Sequence, residues 1–210
     1  MGIKAVVFDF GKVICYPPDD SAMDKIAVIA GVRRDLFEPF FWKLRKIYDN
    51  GELTGMEYMK NIFREVNIHL DDEKLSEIWE IDKKSWTNIN PHTEKLMTEV
   101  KNAGYILGIL SNMPFDFLDH IRENLPVISL AHIGIYSCDL GSGKPEKKIY
   151  EKLLEEINRL AGSECRPQEV VFFDDMPENV EGAKKLNING IVWKDCDDAR
   201  LNLTRLGVQL

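Results

Sequence analysis

The feature that most constrains this chain is a set of five short, almost continuous apolar runs. They cover residues 4–10, 105–110, 133–136, 169–173 and 190–193. Runs of this length are typical of strands buried on both faces of a parallel sheet. Helical patterns separate most of them. The alternation predicts an α/β core: a doubly wound, Rossmann-like parallel sheet with helices on both faces.

Three helical segments support this interpretation. Residues 91–102 carry apolar side chains at helical spacing, and so do residues 145–160. Pro145 suits a first helical turn, where its missing N–H is not needed. The leucines of residues 195–210 predict a final helix that packs on the core.

Residues 16–90 interrupt the alternation. This stretch is rich in aromatic residues at helical spacing and contains no clear strand-like run. It predicts a helical cap inserted after the first strand, with residues 1–15 and 91–210 forming the catalytic core. Asn90 marks the return to the core, because a residue before proline is disfavoured in a helix.

Charge and cysteine usage exclude several classes of partner. The 210 residues carry a formal net charge of -8 with a pI near 5.1, which argues against nucleic acid or an anionic membrane as the main partner. The four cysteines form no CxxC pair and indicate reduced thiols. No apolar signal segment or membrane-length run is seen. We therefore expect a cytoplasmic protein whose partner is a small molecule.

Polar residues lie at or just after the carboxyl ends of four of the five apolar runs. They are Asp9, Ser111 with Asn112, Lys144, and the pair Asp174 and Asp175. Each alone is also typical of a turn, a helix cap or a solvated lysine. Parallel strands bind ligands outside their carboxyl ends, so these residues are expected to share one crevice. Carboxylates, an ammonium and a hydroxyl together suit a phosphorylated substrate with Mg²⁺.

The motifs around these residues resemble those of the haloacid dehalogenase-like superfamily, in its phosphatase branch with a helical cap. VVFDFGKVI resembles the first motif and ILSN the second. SCDLGSGKPEKKIY resembles the third, and VVFFDDMPENVEGA the fourth. Their order and spacing match, and the insertion at 16–90 lies where that superfamily carries its cap.

The resemblance implies a role for each site residue. Asp9 would be the nucleophile that forms an aspartyl-phosphate, and Ser111 would hydrogen-bond a phosphoryl oxygen. Lys144 would neutralise the transferring group and keep Asp9 ionised. Mg²⁺ would be held by Asp9, the carbonyl of Gly11, Asp175, and Asp174 nearby or sharing the role. In the phosphate-binding loop Asn112 would orient the backbone, and Asn179 would orient an aspartate of the fourth motif.

Gly11 departs from the pattern of most phosphatases of the superfamily, which have a second aspartate at this position. That aspartate acts as general acid and base, a contribution of about 10²–10⁴-fold in rate. Gly11 therefore predicts a bias toward activated leaving groups, as in anomeric sugar, aryl or acyl phosphates. The neighbouring Lys12 is interpreted as pointing at an aspartate or at solvent.

Three functional hypotheses follow. The first is a Mg²⁺-dependent phosphoric monoester hydrolase that acts on a small phosphorylated metabolite, such as a sugar phosphate. The second is a 2-haloacid dehalogenase-type hydrolase in which Asp9 attacks carbon; the acidic pair at 174–175 disfavours it. The third is a non-catalytic phosphate-binding or regulatory protein, suggested by Gly11.

The cap offers five basic residues that could grip an anionic substrate. They are Arg33, Arg34, Lys43, Arg45 and Lys46. A solvated helix face is the favoured interpretation for each of them.

Overall fold

The computed structural model describes residues 2–162 and 164–210 and contains a parallel sheet with helices on both faces. The strands are β1 (Ala5–Phe8), β2 (Ile106–Ser111), β3 (Ile133–Tyr136), β4 (Val170–Asp174) and β5 (Asn189–Val192). The first helices are α1 (Asp20–Ala30), α2 (Arg34–Asp49), α3 (Gly55–Glu65), α4 (Asp72–Ser85) and α5 (Pro91–Asn102). The later ones are α6 (Phe115–Asn124), α7 (Ser137–Leu140), α8 (Lys147–Ala161), α9 (Pro177–Lys184) and α10 (Cys196–Arg205).

The sheet has the strand order β3-β2-β1-β4-β5, and every neighbouring pair is parallel. The chain builds outward from β1 through β2 to β3, then returns to β1 and builds outward on its other side. This reversal places a topological switch point at β1, where a ligand crevice is expected. The fold confirms the predicted doubly wound α/β core.

Two apolar layers enclose the sheet. Helices α5, α6 and α10 cover one face, where Leu96 and Leu118 pack against Phe8 and Phe173. Helices α8 and α9 cover the other face. The side chains of the three central strands, β2, β1 and β4, are almost fully buried on both faces, which explains why their sequences lack an apolar-polar alternation. The edge strand β5 is partly exposed.

The predicted start of the helix at 145–160 was wrong by two residues. Helix α8 begins at Lys147, and its N-cap is Glu146 in an extended conformation. The side chain of Asn112 accepts a hydrogen bond from the Lys144 backbone N–H and donates one to the Lys144 carbonyl. Because this clamp holds the backbone outside a helix, the helical turn begins only after Pro145.

Four helices, α1 to α4, form the insertion between β1 and α5. They enclose an aromatic cluster in which the rings of Tyr48 and Tyr58 stack with centroids 4.4 Å apart. Two connecting segments lie side by side where the insertion meets the core: Cys15 forms an antiparallel bridge with Ile89.

Among the helices of the described ranges, none has the length and apolarity that crossing a membrane requires.

Candidate active site

The register of β1 against β4 brings two aspartates together at the carboxyl ends of the strands. Phe8 pairs with Phe173, so Asp9 and Asp174 are the next residues on neighbouring strands. The Asp9 N–H also donates to the Phe173 carbonyl at 2.8 Å, which extends the ladder to this point. Both side chains are buried. Two adjacent buried carboxylates require a cation nearby.

Lys144 supplies that cation. Its Nζ lies 2.8 Å from Oδ1 of Asp9, 2.6 Å from Oδ2 of Asp174 and 2.9 Å from the Leu110 carbonyl. The lysine side chain is almost fully buried. Burial alone would lower the pKa of Lys144, but the charges of Asp9 and Asp174 outweigh it and the pKa is raised. The ammonium is therefore held charged between the two carboxylates.

Asp174 uses both of its oxygens inside the protein. Oδ1 accepts from the Met176 backbone N–H at 2.8 Å and from Nδ2 of Asn179 at 3.0 Å. Oδ2 accepts from Lys144, and Nδ2 of Asn179 lies 3.1 Å from it. Because both oxygens are occupied, Asp174 is suited to holding Lys144 in position rather than to contacting a substrate. Asn179 contacts Asp174 rather than Asp175.

Asp9 keeps one oxygen available. Its Oδ1 accepts from Lys144 and from the Phe10 backbone N–H at 2.6 Å, which orients the carboxylate. Burial raises the pKa of Asp9 to about 7, Lys144 opposes this rise, and the charge of Asp174 adds to it. Lys144 alone therefore only partly maintains the ionised form, and a second cation would complete this task.

The acidic residues also form a potential metal site. Asp9, Asp174 and Asp175 each offer an oxygen within 4.8 Å of the others. Asp175 is the least committed of the three: among residues 2–162 and 164–210, its carboxylate pairs with the half-exposed Lys12 alone, whose Nζ lies 3.1 Å from Oδ2. Lys12 has a positive φ of 59°, in the left-handed region. An all-oxygen set with a displaceable lysine fits Mg²⁺.

The second predicted motif lies beside this cluster. Ser111 ends β2 and its buried hydroxyl makes only a long contact, 3.4 Å, with the Asn112 carbonyl. Asn112 clamps the Lys144 backbone through both atoms of its amide. The hydroxyl is thus available to an incoming oxygen, while Asn112 fixes the loop that carries Lys144.

A second cluster of charges lies in the cap and was missed from the sequence. Arg45 contacts Asp49 at 2.9 Å and Asp82 at 3.2 Å, and only 16% of its side chain is exposed. The solvated-face interpretation of Arg45 was therefore wrong, because Asp82 and the Trp86 ring cover its guanidinium. Arg33 and Arg34 do make more exposed pairs, with Asp35 and with Glu38. The available signal was a repeated i,i+4 spacing, Arg45 to Asp49 and Asp82 to Trp86.

Trp86 packs against Gly11. A Cβ added to Gly11 would lie 3.3 Å from Cζ3 of Trp86, which is tighter than ordinary van der Waals contact. The indole Nε1 donates to Oδ1 of Asp82 at 3.2 Å. The ring therefore takes up space next to the position where related phosphatases are expected to carry a second aspartate.

One cleft joins the two clusters. It has a volume of about 480 Å³ and is lined from the core by Asp9, Ser111 and Lys144 and from the cap by Arg45 and Asp49. Contacts fasten the cap to the core at its rim. Asp116 accepts from the Tyr48 hydroxyl at 2.8 Å and from the Gly55 N–H at 2.7 Å. The Ser137 hydroxyl donates to the Asp49 carbonyl.

Known proteins share this fold and sequence pattern. A model of the haloacid dehalogenase-like hydrolase family matches residues 3–187. An uncharacterised hydrolase of Schizosaccharomyces pombe is 28% identical over 203 residues, covering 89% of each chain. Bifunctional epoxide hydrolase 2 of Sus scrofa is 34% identical over 231 residues, which span this whole chain and 40% of that protein.

A solved structure shares the fold. It is that of a HAD family enzyme of Bacteroides thetaiotaomicron in complex with magnesium and inorganic phosphate, with a TM-score of 0.67 and 20% identity. The alignment covers 92% of this chain and 95% of that one. The chain belongs to the haloacid dehalogenase-like hydrolase family, and it is a hydrolase of α/β architecture with a helical cap.

Proposed function

We propose that the protein is a Mg²⁺-dependent phosphatase that hydrolyses a small phosphorylated metabolite, such as a sugar phosphate. The observation that carries this proposal is the oriented carboxylate of Asp9, with Lys144 on one oxygen and the other oxygen available. The acidic partners of Asp9 support a metal-assisted reaction on an anion. The solved magnesium and phosphate complex of the Bacteroides enzyme is consistent with this chemistry.

In the first step the free oxygen of Asp9 attacks phosphorus, and the bond to the leaving oxygen breaks. Ser111 donates a hydrogen bond to a phosphoryl oxygen, and Lys144 balances the charge on the transferring group. Asp174 and Asn112 hold Lys144 in place from its side chain and its backbone. The product is an aspartyl-phosphate at Asp9, which divides one difficult displacement into two easier ones.

In the second step water attacks the phosphorus of the aspartyl-phosphate. The bond between phosphorus and the Asp9 oxygen breaks, which regenerates the carboxylate and releases inorganic phosphate. Lys144 remains beside Asp9 and stabilises the returning negative charge.

The carboxylates of Asp9 and Asp175 and the carbonyl of Gly11 would hold the metal, with Asp174 adjacent. When bound, Mg²⁺ supplies positive charge that offsets the repulsion between Asp9 and an anionic substrate. Lys12 would then release Asp175, which it contacts in this structure.

A dehalogenase is the second candidate. Displacement of halide from carbon by Asp9 needs no metal, so it leaves the acidic residue Asp175 without a role. The buried pair of Asp174 and Lys144, next to the less buried Asp175, favours the phosphatase instead.

The test compares wild type with Asp9→Asn on a panel of sugar, aryl, acyl and alkyl phosphates. We expect phosphate release that needs Mg²⁺, stops with EDTA, and falls by at least about 10⁴-fold in Asp9→Asn. Asp19→Asn is the matched control, because Asp19 is an exposed helix cap outside the cleft.

No release from any substrate of the panel would contradict the proposal. Halide release from 2-haloacids would then support the dehalogenase. Binding of a phosphate analogue without turnover would support the non-catalytic hypothesis.

A further inference from the structure

In the cap, the partly buried carboxylate of Asp49 and the buried carboxylate of Asp82 share the guanidinium of Arg45. Arg45 contacts Asp49 on its own helix α2 and Asp82 on α4. Trp86 closes the cluster from the side, because its indole N–H donates to Asp82 and its ring lies 5.3 Å from the guanidinium. Two carboxylates and one guanidinium sum to one negative charge in a buried place. Such a cluster can lower its energy by binding a proton.

Only one of the two carboxylates faces the cleft. Asp49 lines it together with Asp9 and Lys144, whereas Asp82 is not among the lining residues. The backbone of Asp49 is held in place by Ser137. The Ser137 hydroxyl donates a hydrogen bond to the Asp49 carbonyl and accepts one from the Met113 N–H at 2.8 Å. The end of α2 is therefore tied to the loop that follows Ser111.

The direction of the reaction also points to the cap. Asp9 lies at the end of a core strand, so it attacks phosphorus from the floor of the cleft. In an in-line displacement the leaving oxygen lies opposite the nucleophile. That oxygen therefore faces the cap, where Arg45 and Asp49 line the cleft.

Gly11 has no side chain to donate a proton, and Trp86 fills the space beside it. We propose that Asp49 is the general acid and base of the reaction and replaces the aspartate that Gly11 lacks. This inference rests on the proposed phosphatase function. It assigns a catalytic group to the cap rather than to the loop after β1.

The proton balance is complete for both steps. In the first, the bond from phosphorus to the leaving oxygen breaks and the carboxyl of Asp49 gives its proton to that oxygen. In the second, the carboxylate of Asp49 takes a proton from the attacking water while the bond from phosphorus to Asp9 breaks. Asp49 returns to its protonated form, so no further reactant is needed.

The surroundings of Asp49 favour a group that can hold and release a proton. Burial raises the pKa of Asp49 to about 6; Arg45 opposes this rise, Asp82 adds to it, and Lys144 opposes it from the core. The phenol of Tyr58 also faces the cluster. An anionic substrate in the cleft would raise the pKa further, because like charges disfavour the carboxylate.

The experiment compares two substrates with different leaving groups: p-nitrophenyl phosphate, whose leaving group needs little protonation, and glycerol phosphate, whose leaving group needs a proton. We expect Asp49→Asn to lower kcat by about 10²-fold or more on glycerol phosphate and by less than about tenfold on p-nitrophenyl phosphate. Asp35→Asn is the control, because Asp35 also lies on α2 and pairs with an arginine, Arg33, but is exposed. It should leave both rates unchanged.

An equal loss on both substrates by a folded Asp49→Asn variant would overturn the inference, because a merely structural role does not depend on the leaving group. The ratio of the two wild-type kcat values gives a second measurement that needs no variant. The glycerol phosphate rate should fall relative to the p-nitrophenyl phosphate rate as pH rises and Asp49 loses its proton. A ratio independent of pH would contradict the inference.

The two proposals fail in different ways. If wild type releases no phosphate, the phosphatase function itself is wrong. If wild type is active but Asp49→Asn keeps the wild-type ratio of the two rates, only the role of Asp49 is wrong. If Asp49 is the general acid, wild type should not show the preference for activated leaving groups that Gly11 predicts. The Asp49→Asn variant should show that preference instead.

Discussion

The core site and the cap cluster are built on the same plan. In the core, Lys144 joins Asp9, which lines the cleft, to the fully buried Asp174. In the cap, Arg45 joins the accessible Asp49 to the buried Asp82. Each cluster has one cation for two carboxylates and keeps one carboxylate facing the cleft.

The difference between them lies in what can balance the remaining negative charge. Asp175 stands beside the core cluster and adds a third carboxylate, so a divalent cation fits there. Within the part of the chain that the structure describes, no such third carboxylate joins Asp49 and Asp82 in a candidate metal site. The cap cluster can therefore be balanced by a proton. The same arrangement of two carboxylates around one cation thus suits metal-assisted attack in the core and proton transfer in the cap.

Removing the core cation should have the largest effect. Lys144→Met leaves Asp9 and Asp174 buried without the cation between them, so we expect a loss of about 3–5 kcal/mol in the free energy of unfolding. Phosphate release should disappear with it. Denaturant unfolding and a release assay measure both, with Lys147→Met as an exposed control. Wild-type stability in Lys144→Met would contradict the account of the core cluster.

Mg²⁺ should stabilise the protein through the core cluster and not through the cap cluster. At about 100 times its dissociation constant, Mg²⁺ should raise the free energy of unfolding by about 2.7 kcal/mol. Asp175→Asn should lose most of this gain, whereas Asp82→Asn should keep it. Thermal unfolding with and without Mg²⁺ measures the difference. An equal loss in both variants would place the ion somewhere other than the core cluster.

The cap cation should have a smaller effect that depends on pH. Arg45→Met removes the group that lowers the pKa of Asp49 and Asp82, so both pKa values rise further above their usual range. The folded variant then holds protons that the unfolded chain releases, and its stability falls as pH rises. We expect a loss of about 2–3 kcal/mol near pH 8 and a smaller loss near pH 5.

Denaturant unfolding at the two pH values measures this dependence. Arg33→Met is the control, since its ion pair with Asp35 is exposed and should contribute little at either pH. If the loss of stability in Arg45→Met stayed constant with pH, the cap cluster would not be balanced by a proton.

The smallest effect is expected at Gly11. Gly11→Ala places a Cβ 3.3 Å from Trp86, so the ring must move by a few tenths of an ångström. We expect a cost of about 1 kcal/mol in stability and a modest fall in phosphate release. Gly2→Ala is the control, because a Cβ there meets nothing within 4 Å. A stabilised Gly11→Ala would mean that Trp86 does not limit this position.

The contrast between the clusters also explains what the sequence can predict. Asp9 and Asp174 follow apolar strands, and parallel pairing brings strand ends together whatever the loops do. Their placement was therefore predictable, as was the doubly wound core. The beginning of α8 was predicted wrongly because a side chain from another loop, Asn112, holds the backbone before it.

The cap cluster could not be predicted in the same way. Arg45 and Asp82 are 37 positions apart on helices whose relative packing no local pattern fixes. The i,i+4 spacing of Arg45 and Asp49 is equally typical of an exposed helix face. Arg45 is covered by Asp82 and Trp86, which lie far from it in the sequence. The cleft that Asp49 shares with Asp9 connects the cluster to the reaction.

In the proposed reaction Asp9 carries the phosphoryl group during turnover. The most direct test quenches the wild-type enzyme in acid during turnover with Mg²⁺ and locates the phosphoryl group by peptide mass spectrometry. We expect a phosphorylated peptide that contains Asp9 in the wild type and no such peptide in Asp9→Asn. Turnover without a phosphorylated enzyme, or a phosphoryl group on another residue, would contradict the proposed reaction.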